Sequence, residues 1–89
     1  MRITMKTFTY TIQDPIGIHA RPAGMVAKKA AAFQSVFTIA KGEKKTDARR
    51  LMSLMGLGVK HGDTITVSVE GPDEAEAAAA FEAFLGSLL

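Results

Sequence analysis

The sequence predicts a two-layer, open-faced α/β (α+β) sandwich with element order β-α-β-β-α-β-α. Three observations lead there. Two segments, residues 6–13 and 64–70, alternate apolar and polar residues with period 2. Two others, 20–33 and the stretch after Asp73 that carries Ala77, Phe81, Phe84 and Leu88, space apolar residues at helical intervals. The whole chain is 89 residues, enough for one core, so these elements must cover one another.

In β1, Phe8, Tyr10 and Ile12 alternate with threonines, giving one buried face. Asp14-Pro15-Ile16-Gly17 forms a loop. The first helix is expected from Ala20 to Phe33, with Val26, Ala30 and Phe33 facing the core. Pro22 suits its first turn, where a missing N–H costs no hydrogen bond. Val36–Ala40 forms the second strand, and Lys41-Gly42-Glu43 turns the chain into a short third one around Lys44-Lys45. A short helix is expected from Asp47 to Met55, stopped by Gly56 and Gly58. Thr64–Glu70 is the fourth strand, and Gly71-Pro72-Asp73 opens a last helix with Ala77, Phe81, Phe84 and Leu88 on one stripe. A right-handed crossover from strand 1 to strand 2 leaves room for strand 4 between them. The expected sheet order is 1-4-2-3, with three helices on one face and water on the other. Residues 1–89 read as a single domain without repeats or a linker, and Met5 offers an alternative start that would make residues 1–4 an extension.

Composition narrows the function. No apolar run reaches the ~20 residues of a membrane span, and Met1-Arg2-Ile3-Thr4 lacks the apolar stretch of a signal peptide. There is no cysteine, which removes thiolate metal sites and cysteine nucleophiles and fits a cytoplasmic protein. The formal charge of +2 is modest but unevenly placed. Nine Lys or Arg lie between Arg21 and Lys60 against Glu43 and Asp47, whereas Asp63 to Glu82 holds six acids and no base. A basic middle suits an acidic partner steered by charge.

The chemistry concentrates in Gly17-Ile18-His19-Ala20-Arg21-Pro22-Ala23-Gly24. His19 precedes a helix start, where unpaired backbone N–H groups and the helix dipole favour an anion, above all phosphate. Arg21 adds a cation, and an imidazole is a nucleophile near neutral pH. This combination suits phosphoryl transfer through His19. A solitary histidine is more often a loop residue, and His61, in a glycine turn, reads that way. Two histidines far apart do not make a metal site, and no cofactor is called for.

Together with the predicted topology, this segment resembles the histidine-containing phosphocarrier (HPr) family of the bacterial phosphotransferase system. The resemblance runs from about Met5 onward and includes Leu51-Met52-Ser53-Leu54-Met55-Gly56-Leu57-Gly58 and Gly71-Pro72-Asp73-Glu74. It implies reversible phosphorylation of His19 on Nδ1, with enzyme I as donor, charged from phosphoenolpyruvate, and sugar-specific enzyme IIA domains as acceptors. It implies a stoichiometric carrier, not a turnover enzyme, and a monomer is expected of a protein that leaves one partner for the next. The backbone N–H groups of Ala20 and Arg21, with the Arg21 guanidinium, would hold the phosphoryl group. That hold is weak, ~0.3–1 kcal/mol for an exposed helix end, which suits a group that must leave again.

Leu51, Met52, Leu54, Met55 and Leu57 are too many apolar residues for one buried stripe of so short a helix. Some must be exposed, and methionines adapt to several partners. By the resemblance, Arg50, Leu51, Met52 and Met55 dock partners together with Arg21, Met25 and Lys28, while Leu54 belongs to the core. One departure stands out: Arg50 occupies the position of the family's regulatory serine, and Ser53 does not match it. No serine-kinase switch of that kind is expected, and a specialised or nitrogen-regulatory branch becomes an alternative. A nucleic-acid-binding module is the more distant rival, resting on Phe8, Tyr10 and Phe37 as a possible stacking face. A small hydrolase would need a second acid or base beside His19, and only Asp14 is near in sequence.

Overall fold

In a computed structural model, which describes residues 5–15 and 20–88, the chain runs β1 (Lys6–Thr11), α1 (Ala20–Ala31), β2 (Val36–Lys41), β3 (Lys44–Asp47), α2 (Leu51–Gly56), β4 (Thr64–Glu70) and α3 (Glu74–Leu88). The strands form one sheet in the order β1-β4-β2-β3, as expected from the sequence. Every pairing is antiparallel, so the chain makes hairpins and helix-bearing crossovers only.

Register explains which face is dry. Phe8 lies opposite Val67 and Tyr10 opposite Ile65, while Phe37 and Ile39 lie opposite Val69 and Val67. These residues share one face, and the helices cover it. Phe37, Ile39, Ile65, Val67 and Val69 are fully buried there with Val26, Ala30, Leu54, Phe81 and Leu85. The Phe37 ring sits 4.5 Å from Phe81 and 5.8 Å from Phe33, centroid to centroid, joining the sheet to α3 and to the end of α1. The opposite face carries Thr7, Thr9, Thr11, Thr38, Thr66 and Ser68. It has no aromatic residue among those described, so the stacking platform a nucleic-acid reading requires is turned into the core.

Two helix boundaries and the buried stripe of α3 differ from expectation. α1 ends at Ala31 instead of Phe33 because the last turn tightens, with the Ala32 and Phe33 N–H groups donating to the Lys29 and Ala30 carbonyls. The Gln34 N–H then donates to Asp73 Oδ2 at 3.0 Å, and the chain is turned into β2. α2 begins at Leu51, not Asp47. Asp47 ends β3 opposite Thr38, and its carboxylate accepts the Arg49 N–H at 2.9 Å, which makes 47–50 a turn. In α3 the buried stripe runs through Ala77, Phe81 and Leu85, leaving Phe84 and Leu88 half-buried.

Candidate functional site

His19, with Ile16, Gly17 and Ile18, lies outside the described residues, so the site is built from what surrounds it. Ala20 opens α1 immediately after it. The first turn of α1 contains no acid and its last turn contains Lys28 and Lys29. The N-terminal N–H groups, which have no intrahelical partners, therefore keep their positive potential. Arg21 is exposed in this first turn and Pro22 behind it is buried. An anion at this helix start would meet the Arg21 guanidinium and the positive end of the helix dipole.

α1 packs against α2, and this places the second group of candidate residues beside the first. Leu54 is fully buried and anchors α2, as its spacing predicts. Leu51 is 40% exposed and Met52 76% exposed, while Met55 is half-buried. On α1, Met25 is 41% exposed, and Lys28 is exposed too. The apolar crowding of residues 51–57 thus divides into one anchor below and a sulfur-rich surface above. Leu57, at 5% exposure, goes inward with Leu54.

Charge at the α2 end follows from one ion pair. Asp47 receives two bonds from the Arg49 guanidinium, at 2.9 Å from Nη2 and 3.2 Å from Nε. This holds the Asp47 carboxyl below the usual carboxylate range, against a smaller opposing effect of burial. The acid that precedes this end in sequence is thereby occupied with Arg49. Arg50, exposed and extended at the N-cap (φ −95°, ψ 98°), makes no capping bond and has no ion-pair partner among the described residues. Its charge faces solvent beside Leu51 and Met52.

The sequence reading did not find everything that meets Arg21. A shallow depression of about 220 Å3 is lined by Asp14, Arg21, Pro22, Met25 and Leu88. Leu88 comes from the far end of the chain, and only the packing of α3 beside α1 brings it there. His61 is exposed in the loop before β4, consistent with a plain loop residue. No cluster of His, Asp and Glu suited to a metal occurs among the described residues, and no helix among them is long and apolar enough to cross a membrane.

Comparison with known proteins agrees with this arrangement. Residues 6–87 match the family described as the PTS HPr component phosphorylation site. The chain is 43% identical over 82 residues to the phosphocarrier protein HPr of Mycoplasma genitalium, covering 91% of this chain and 93% of that one. It is 44% identical over 85 residues to that of Lysinibacillus sphaericus, covering 96% and 92%. Among solved structures, it superposes on an HPr from Thermoanaerobacter tengcongensis with a TM-score of 0.87 at 38% identity, covering 92% of each chain. For an HPr from Bacillus anthracis the TM-score is 0.83 at 31% identity, over 90% of this chain and 95% of that one. With a family match across nearly its full length and the same open-faced sandwich, the chain belongs to the HPr family, the phosphocarrier proteins of the phosphotransferase system.

Proposed function

We propose that this phosphocarrier accepts a phosphoryl group on His19 Nδ1 from phosphorylated enzyme I, itself charged from phosphoenolpyruvate, and passes it to enzyme IIA domains for sugar uptake. The observation that carries this reading is the position of Arg21. It is exposed in a helix start that contains no acid, one residue beyond Ala20 and two beyond His19. In the transfer, the Nδ1 lone pair forms a P–N bond as the donor's bond to phosphorus breaks, and on discharge the His19 P–N bond breaks as the acceptor's nucleophile bonds to phosphorus. The Arg21 guanidinium and the Ala20 and Arg21 N–H groups balance charge on the phosphoryl oxygens. A loose transition state requires mainly such positioning and charge balance.

Arg50, Leu51, Met52 and Met55 on α2, with Met25 and Lys28 on α1, form the surface that partners cover. Its apolar centre and basic border fit acidic proteins that must bind and leave quickly. The chain acts as a single-domain cytoplasmic monomer without metal or cofactor. With Arg50 at the family's regulatory position, control by a kinase acting on a serine there has no substrate.

The test is a relay reconstituted from enzyme I, Mg2+, phosphoenolpyruvate, this chain and an enzyme IIA domain. Phosphoryl transfer to the IIA domain that requires this chain supports the reading. A chain that becomes charged yet never discharges to any IIA domain would refute the uptake role.

A further inference from the structure

Phe84 and Leu88 leave the core stripe of α3 and instead wall a groove that runs along the outside of α1. The depression containing Arg21, Met25 and Leu88 shares Met25 with a second one of about 360 Å3 lined by Met25, Lys28, Lys29, Ala32 and Phe84. Arg21, Met25 and Lys29 are spaced four residues apart on α1, so they follow one edge for about 12 Å. Phe84 and Leu88 lie one turn apart on the facing helix. The Lys29 ammonium stands 5.5 Å from the Phe84 ring centroid and 5.8 Å from that of Phe33, held at the mouth of the groove.

No α2 residue lines this groove, yet it includes Met25 and Lys28, which also belong to the proposed docking surface. The lining is mostly apolar at the Phe84 end and mixed at the Arg21 end, and of the charged residues that line it three are cations, Arg21, Lys28 and Lys29, and one is an acid, Asp14. Two apolar walls a turn apart match side chains at i and i+4 of an incoming helix. We infer that the α1–α3 groove receives an acidic amphipathic helix of the same protein that charges His19, as a second anchor beside the α1–α2 surface. The inference rests on the proposed function, because it takes enzyme I as that protein.

The test follows backbone and methyl NMR shifts of the full chain on titration with enzyme I, with phosphorylation kinetics alongside. Shifts at Ala32, Phe84 and Leu88, in addition to those on α2, are expected. Lys29→Glu should raise the KM for this chain about five- to tenfold with kcat unchanged, since Lys29 is remote from the transferred group. Phe84→Ser should do the same, and its melting curve separates a docking loss from a folding loss. Shifts confined to α1 and α2, with KM unchanged in Lys29→Glu, would overturn the inference and leave the proposed function standing. Shifts at Phe84 and Leu88 produced by concentration alone would assign the groove to a second copy and also overturn it. If enzyme I does not charge the wild-type chain, the proposed function falls and the inference with it.

Discussion

Ser35 donates its hydroxyl hydrogen to Asp73 Oδ1, joining the turn after α1 to the start of α3 across 38 residues of chain. The other oxygen of the same carboxylate takes the Gln34 N–H, so Asp73 closes both turns at once. Ser35 is 2% exposed, and Gly71 packs directly on it: a Cβ at Gly71 would lie 2.6 Å from the Ser35 Cα. Backbone has to move before any side chain fits. Gly71→Ala is therefore expected to destabilise by about 1–3 kcal/mol, the usual range for overpacking. Ser35→Ala should lower Tm by about 4–8 °C, the equivalent of one net hydrogen bond in a domain this size. Thermal melts of the two variants measure both, and a wild-type Tm in either would contradict this account of the turn.

Acid should weaken the fold in a defined window. Asp73 is held below the ordinary aspartate range by the Ser35 hydroxyl and then by the Gln34 N–H. Asp63 is held down by the Lys41 ammonium, 2.9 Å away, and by the Lys60 N–H. Asp47 is lowered by Arg49. Each carboxylate binds its proton more weakly folded than unfolded. Its stabilisation is complete above the unfolded value of about 3.9 and is lost as pH falls through the lower folded value. Urea titrations should show that these three contribute a constant stability between pH 7 and 5 and a declining one below about pH 4. Asp73→Asn should flatten the acid limb. An acid limb of unchanged steepness in that variant would remove Asp73 from the explanation.

Much of this was legible in the sequence, and the failures have physical causes. Strict alternation in Thr64–Glu70 and at Phe8, Tyr10 and Ile12 set the faces, and the apolar excess around Leu54 announced exposed methionines. The phase of α3 was harder to read because Ala75 and Ala77–Ala80 make it apolar on several sides, so Leu85 and Phe84 competed for the core on equal terms. Asp47 read as a helix start, since a carboxylate two residues before Arg49 caps a turn as readily as a helix. The Ser35–Asp73 bond had no local signal at all. Residue spacing cannot show a contact that only the packed helices create.

Arg50 should govern the encounter with acidic partners. Asp47 is already paired with Arg49, so reversing charge at Arg50 removes from the docking surface a cation that has no ion pair among the described residues. Arg50→Glu is expected to slow phosphorylation by enzyme I several-fold at low salt, with the difference shrinking as ionic strength approaches 1 M, where the screening length is about 3 Å. Stopped-flow or quench-flow rates across a salt series measure this. A salt-independent deficit would mean that Arg50 acts by contact instead of steering, and no deficit would take it off the surface altogether.

The central claim is that one histidine carries the phosphoryl group. Intact-mass spectrometry at neutral or mildly basic pH, after incubation with phosphoenolpyruvate, Mg2+ and enzyme I, tests it most directly. The account predicts a single phosphate adduct on the wild type and on His61→Ala, lost in acid, and none on a folded His19→Ala. An adduct that persists in His19→Ala, or one that survives acid, would contradict it.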